Sequence, residues 1–373
     1  MGSKIYVFAG DSRITDEEED GQVVSSWDAF DLATKTWESS SAKQKDRTMP
    51  LIDNWGQAVA LTVKENPSQQ AAHPSQLPKY RRLSRTEESD DLTTAVVNAQ
   101  KKARTEEALP SYGTAAASDD AQLSPSPTIY ILRGFLFFAF DVESQTWTRL
   151  PDSIKDHGHF QMVSFQREVY AIGTYSVIAA GVVEKFTAAT KRWSATAPLP
   201  RKLRSVGANH YHNEVYITGG IDVITETTLS SVYKLEKHTS NWVELTGTPL
   251  LEPRCRHATV SFRNKLWIGG GSVLVNGALV STNSVCSYEE GKGWRKEAAM
   301  NCKREFLDLL VAQQRLYAVG GNVDEEGNHK LRTIEILTED ESKWEHVARF
   351  PNTRVGFSAT AGIVSVSTFL YLL

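Results

Sequence analysis

Seven arginines stand where the chain crosses from one short apolar run to the next: Arg47, Arg201, Arg204, Arg254, Arg256, Arg304 and Arg354. A guanidinium carries five donors in a rigid fork that matches a carboxylate or phosphate, so a cluster of them is the best candidate for a binding site. Tyr175 and Asn322 are expected to line the rim of such a site. The competing role for any one of these arginines is structural, with the fork closed by backbone carbonyls or a neighbouring carboxylate. Two acidic runs, Asp16–Asp20 and Asp324–Glu326, read either as solvated loops or as an acidic rim beside the basic residues. His157-x-His159 and His210-x-His212 each place two imidazoles on one side of a strand. No third ligand accompanies either pair, so neither a metal nor a cofactor is expected. No Ser-His-Asp arrangement or nucleophile elbow is defensible, and no catalytic residue is assigned. Arg81-Arg82-Leu83-Ser84 matches a basophilic kinase preference and marks Ser84 for phosphorylation. The basic stretches Lys79–Arg85 and Lys101–Arg104 have a spacing compatible with a weak nuclear import signal.

Composition narrows the classes. The chain has 373 residues, 40% of them hydrophobic, and 41 basic against 45 acidic side chains give a net charge of −4. That balance argues against nucleic acid as a partner. Cys255, Cys286 and Cys302 have neither disulfide nor zinc spacing and suit a reducing compartment. Met1-Gly2-Ser3-Lys4 runs straight into a strand without a signal-peptide core. The terminal Phe369–Leu373 run is too short to span a bilayer. A cytoplasmic protein is expected, with nuclear entry open and no membrane partner.

The elements that must position the arginines repeat. Trp147, Trp193, Trp242, Trp294 and Trp344 are 46, 49, 52 and 50 residues apart. Trp37 lies 110 residues before Trp147, and removing the 64 polar residues Lys64–Pro127 restores a spacing of 46. Ahead of each tryptophan stands Phe30, Phe140, Phe186, Tyr233, Tyr288 or, in the last repeat, Ile336. Further upstream is a β-branched and aromatic strand: Ile5-Tyr6-Val7, Ile129-Tyr130-Ile131, Val169-Tyr170-Ala171, Val215-Tyr216-Ile217, Leu266-Trp267-Ile268 and Leu316-Tyr317-Ala318. Gly219-Gly220, Gly270-Gly271 and Gly320-Gly321 follow three of these strands. No Gly-Lys-Ser/Thr follows them, so they are not phosphate loops; they suit positive φ where neighbouring backbones converge.

Strand, Gly-Gly, loop, aromatic, turn and Trp, repeated about every 50 residues, resembles the Kelch repeat. Phe30-Asp31-x-x-Thr34-x-x-Trp37 is similar to the family's Tyr-Asp-x-x-Thr-x-x-Trp. The resemblance implies an all-β, six-bladed propeller of four-stranded antiparallel blades over residues 1–373. Its ring is closed by a carboxy-terminal strand within Arg354–Val364. Phe369–Leu373 reads as a further strand that competes for a place in blade one or packs outside it. Residues 64–127 are expected to be a largely disordered insert in blade two, with a short amphipathic helix conceivable over Asp91–Leu109.

The resemblance further implies an adaptor or scaffold that binds a protein or an acidic or phosphorylated peptide. The expected face is formed by blade-to-blade connections and the loops between second and third strands. The expected binding residues are Arg201, Arg204, Arg254, Arg256, Arg304, Arg354, Tyr175 and Asn322. Many Kelch proteins join ubiquitin ligases through a BTB domain. No such segment is recognised here, so that role is expected only through another subunit. The alternative the resemblance offers is a sugar-handling enzyme similar to six-bladed Kelch sialic-acid epimerases, using channel Arg and Glu residues.

Overall fold

The computed structural model describes residues 4–9, 26–39, 57–61, 128–157, 160–166, 168–173, 181–236, 241–323, 331–349 and 360–364. All belong to one compact unit, Met1–Lys64 with Pro125–Leu373. Outside the described residues lie the Lys64–Pro127 insert, Arg47, Ser84, His159, Tyr175, Arg354, both acidic runs and the Phe369–Leu373 tail.

The described residues contain strands and turns and no helix. The first sheet holds β1 (Lys4–Ala9), β2 (Ser26–Asp31) and β3 (Trp37–Ser39). The second is β4 (Gln57–Leu61), β5 (Thr128–Arg133), β6 (Leu136–Asp141) and β7 (Thr146–Leu150). The third is β8 (Gln161–Phe165), β9 (Glu168–Ile172), β10 (Val183–Thr187) and β11 (Arg192–Ala195). A short β12 (Leu203–Arg204) leads into the fourth: β13 (Gly207–Tyr211), β14 (Glu214–Thr218), then β15 (Ile221–Asp222) and β16 (Thr227–Thr228) as an excursion, then β17 (Val232–Leu235) and β18 (Trp242–Glu244). The fifth repeats this plan. It runs β19 (Arg254–Cys255), β20 (Ala258–Phe262), β21 (Lys265–Gly269), the excursion β22 (Ser272–Val275) and β23 (Ala278–Ser281), then β24 (Val285–Glu289) and β25 (Gly293–Glu297). The sixth is β26 (Asp308–Ala312), β27 (Arg315–Val319), β28 (Thr333–Leu337) and β29 (Trp344–Arg349). Finally β30 (Thr360–Val364) pairs antiparallel with β1, Lys4 opposite Val364, and completes the first sheet.

Every four-stranded sheet is antiparallel, and its adjacent strands follow one another in sequence except at β1–β30, β14–β17 and β21–β24. The innermost strands lie against one another in order: β4 on β8, β8 on β13, β13 on β20, β20 on β26, β26 on β30, and β30 on β4. The second strands β9, β14, β21 and β27 share one pattern, a half-buried first residue and four buried ones. Continuous burial needs cover on both faces, and the neighbouring sheets supply it. That is why these runs read as unbroken apolar stretches. The outer strands β11 and β25 are largely exposed and correspondingly polar.

The tryptophans fasten the outer edges. Trp193 Nε1–H donates to the Pro151 carbonyl at 3.1 Å, Trp242 to Ala197 at 3.0 Å, Trp294 to Thr248 at 3.0 Å and Trp344 to Ala298 at 2.9 Å. Each acceptor lies just past the fourth strand of the preceding sheet, so each indole joins two sheets while packing its ring. Phe30, Phe140, Phe186 and Tyr288 stand directly opposite Trp37, Trp147, Trp193 and Trp294. In the fourth and sixth sheets the residue opposite is Leu235 or Leu337, while Tyr233 faces Glu244 and Ile336 faces Glu345. Leu235 and Leu337 stand seven residues before their tryptophans, as Phe30, Phe140 and Phe186 do, and Tyr288 stands six before across a shorter turn; Tyr233 and Ile336 stand nine and eight before and fall out of register.

Candidate interaction face

Strands alternate direction, so blade-to-blade connections and second-to-third-strand loops emerge at one end of the sheets. Backbone hydrogen bonds tie that end together. Arg256 N–H donates to Ser205 O at 2.9 Å, and Phe306 N–H donates to Arg256 O at 2.9 Å, linking three successive connections. Ser205, Arg256 and Phe306 occupy the same place in their repeats, with φ of 54°, 55° and 52°. Three non-glycine residues in the left-handed region are held there by these bonds.

Arg254 and Arg304, two of the expected binding residues, lie buried at the sheet junctions with their terminal nitrogens engaged within the fold. Arg254 is 1% exposed and Arg304 0%. Arg304 donates through Nη1 to Gly320 O (2.7 Å) and Thr333 O (3.2 Å). Its Nη2 donates to Thr333 Oγ1 (2.8 Å) and Glu335 Oε1 (2.6 Å). Arg254 reaches Gly270 O (2.9 Å) and Ser284 O (3.1 Å) through Nη1, and Glu252 Oε1 (2.5 Å) and Ser284 Oγ (2.6 Å) through Nη2. The backbone carbonyls of the same residues look the other way: Gly220 N–H donates to Arg254 O, and Gly271 N–H to Arg304 O. Each arginine therefore joins the glycine pair of one sheet to that of the next. The glycines are obligatory partners. Gly219 and Gly270 sit at φ of 57° and 64°, and a Cβ at either would collide with the Arg254 or Arg304 carbonyl oxygen. His157 does the same work in the connection before the third sheet, where its Nδ1 lies 3.0 Å from Gly173 O and its Nε2 3.2 Å from Glu184. Burial pushes the Glu335 carboxyl up. Arg304 and the Asn301 and Cys302 N–H groups outweigh that and hold it below its ordinary value.

Arg201, Arg204 and Arg256 remain toward solvent, each beside a carboxylate. Arg201 lies 3.5 Å from Asp222 with its side chain 48% exposed. Arg204 is 2.6 Å from Glu226. Arg256 is 3.1 Å from Glu305 Oε2 and stacks over the Phe306 ring. Glu305, buried, also accepts from Ser272 Oγ, and its backbone exchanges two hydrogen bonds with Asn322. The structure thus brings Arg256, Glu305 and Asn322 together, joining blades five and six. Burial raises the Asp222 carboxyl, but Ile224 N–H, Thr225 N–H and Arg201 carry it below the ordinary range. Among the described residues no three His, Cys, Asp or Glu side chains gather as a metal site, and no helix is long and apolar enough to cross a membrane. His210 stacks on Phe165, and His212 lies beside Glu290 and Asn264. The three cysteines are free thiols, and burial pushes Cys255 up to about 11.

Sequence reasoning passed over the apolar residues of this face. Ten large hydrophobic side chains are exposed among the described residues, and nine belong to these loops and connections. Phe135 and Leu136 turn between β5 and β6, and Ile154 follows in the next connection. Ile224 and Leu251 come from blade four, Leu274, Val275 and Val280 from blade five, and Val323 from blade six. The tenth, Val243, lies on outer strand β18. The signal was the dipeptide Asn276-Gly277 between two apolar runs, a strong hairpin mark.

An assembly of four-stranded antiparallel sheets, with tryptophans bracing the outer edges and glycine pairs at the junctions, is the plan of Kelch-type proteins. The chain's homologues are scruin and Kelch-like proteins. It is 25% identical over 236 residues to Beta-scruin of Limulus polyphemus, which covers 60% of this chain and 25% of that one. It is 24% identical over 237 residues to Kelch-like protein 23 of Homo sapiens, covering 61% and 40%. The chain thus spans a quarter to two fifths of these relatives. The solved structure of YjhT superposes with a TM-score of 0.52 at 14% identity, over 61% of this chain and 83% of that one, a likeness of fold alone. No protein-family model matches the chain.

Proposed function

We propose that the chain is a protein-interaction module, an adaptor or scaffold, built as a six-bladed ring that pairing of β30 with β1 closes. A partner protein docks on the face of blade-to-blade connections and second-to-third-strand loops. The observation that carries this is that nine of the ten exposed large hydrophobics among the described residues belong to the loops and connections of that face, and apolar side chains exposed on one face favour association there. The cyclic order of inner-strand neighbours supports the ring, and the interleaved pairing of β4 with β5 supports one propeller with residues 64–127 inserted in blade two. The cytoplasm is the proposed compartment. Docking of an acidic or phosphorylated peptide is the second reading; it rests on Arg201, half exposed and only loosely held by Asp222. The sugar-handling alternative is weaker, because the Arg254 and Arg304 guanidiniums are buried and both terminal nitrogens of each are engaged within the fold. The test is partner capture by full-length Ile154→Asp and Leu251→Asp variants, with Gln314→Asp on the opposite face as control. Loss of the partner in the first two and retention in the third is expected. The reverse pattern overturns the reading.

A further inference from the structure

The tip of the β22–β23 hairpin carries the one Asn-Gly dipeptide of the chain, Asn276-Gly277. Val275 stands opposite Ala278 and Leu274 opposite Leu279, so these two residues alone make the turn. Their φ values of 51° and 85° belong to the hairpin turn that needs a left-handed backbone at both central positions, which is why Asn and Gly occupy it. Directly opposed residues share a face, and both faces of the ribbon are apolar. Only its base is anchored. Ser272 and Ser281 are buried, whereas residues 274–278 are all exposed. Among the described residues no hydrogen bond takes up the Asn276 side-chain amide or the Gly277 N–H. A Cβ at Gly277 would meet nothing within 4 Å, so the turn is open to water on every side. Other asparagines differ. Asn283 holds its Nδ2 on Met300 O at 2.7 Å, and Asn209 holds its own on Thr259 O at 3.1 Å.

We propose that Asn276 is a site of spontaneous deamidation and isoaspartate formation, with water as the only co-reactant. The Gly277 nitrogen, giving its proton to solvent, attacks Asn276 Cγ. The N–Cγ bond forms, the Cγ–Nδ2 bond breaks, and Nδ2 takes a proton from solvent and leaves as ammonia. Water then opens the five-membered imide. Opening at Cγ leaves aspartate, and opening at the Asn276 backbone carbonyl carbon leaves isoaspartate, whose main chain runs through Cγ. Nothing is oxidised or reduced. Glycine favours the attack because no side chain stands over the nitrogen. Asn276 must leave its turn conformation to react, and a tip with no buried contacts opens locally at little cost. The product alters the hairpin. No charged residue occurs between Gly269 and Tyr288, so the new carboxylate is the first charge in the ribbon. The extra main-chain atom of isoaspartate breaks the register of Val275 with Ala278.

The test holds the folded full chain for weeks at mildly alkaline pH and physiological temperature. Peptides are then separated and fragmented by a method that distinguishes isoaspartate from aspartate. Expected is conversion at Asn276 ahead of Asn283 and Asn209, with isoaspartate the larger product. Gly277→Ala should slow it about tenfold, because the added Cβ crowds the nitrogen. A parallel incubation of the wild type in urea keeps the outcome readable if that variant misfolds. The folded rate should lie within about tenfold of the rate in urea, as easy local opening requires. Suppression by more than about a hundredfold in the folded chain would show a closed tip and overturn the proposal. Equal rates in Gly277→Ala and wild type, or an unchanged Asn276 beside a converted Asn283, would overturn it as well.

Discussion

Replacing Arg304 should unfold the junction between the fifth and sixth sheets before it affects any partner. In Arg304→Met the side chain remains long enough to fill its space, but Gly320 O and Thr333 Oγ1 lose the guanidinium and Thr333 O keeps only the Gly320 N–H. Glu335, 1% exposed, keeps only the N–H groups of Asn301 (2.8 Å) and Cys302 (3.2 Å). Breaking a buried pair from one side leaves an uncompensated charge and costs about 3–5 kcal/mol, a large share of a typical stability of about 5–15 kcal/mol. Two further signatures separate this cause from lost packing. Adding Glu335→Gln should restore about 1–3 kcal/mol relative to additivity. The pH dependence has a definite sign. In the wild type the lowered Glu335 carboxyl contributes stability that is present above its unfolded value of 4.5 and is lost as pH falls through the lower folded value. In Arg304→Met burial is opposed only by the Asn301 and Cys302 N–H groups, so that carboxyl rises relative to wild type, and the deficit is greatest near pH 7 and narrows as pH falls. Urea unfolding followed by tryptophan fluorescence measures all three. An Arg304→Met protein within about 0.5 kcal/mol of wild type would refute the structural role and return Arg304 to the list of binding residues.

Burial first, and Arg254 second, push His257 down to about 3, so its neutral form is required in the fold. Its stability contribution is complete above about 6.5 and is lost as pH falls toward 3. Wild type should therefore lose about 2 kcal/mol relative to His257→Gln between pH 6.5 and 4.5, and a flat difference contradicts this. Gly270→Ala, strained in φ and driven onto the Arg304 carbonyl, should cost at least about 2 kcal/mol. Gly277→Ala, at φ of 85° in open space, should cost about 1 kcal/mol; equal losses by thermal denaturation would contradict the contact. Trp294→Phe keeps a ring against Tyr288 and removes the 3.0 Å bond to Thr248 O, for a loss of about 1 kcal/mol in the same assay.

The repeat was legible because period and residue type agreed. The runs of β9, β14, β21 and β27 became doubly covered second strands, and Trp193, Trp242, Trp294 and Trp344 became inter-sheet braces. What the sequence hid was partnership across blades. Arg254 and Gly270, sixteen residues apart, read as a binding arginine and a turn glycine. Only the arrangement of sheets reveals that the guanidinium of one satisfies the carbonyl of the other. His157 was hidden for the same reason, since an imidazole and a guanidinium fill the junction with different chemistry. The apolar face was hidden by a habit of looking for charge: Leu274, Val275 and Val280 look like ordinary strand residues until both sides of their hairpin are seen to be uncovered.

Hydrogen exchange on the chain with and without its captured partner tests the docking face most directly. The account predicts slowed exchange in Ile221–Leu229, Ser272–Ser281 and the connection after β7, with no change at the turns around Asn213, Asn264 and Gln314. Protection confined to those turns or to the outer strands β11 and β18 would contradict it.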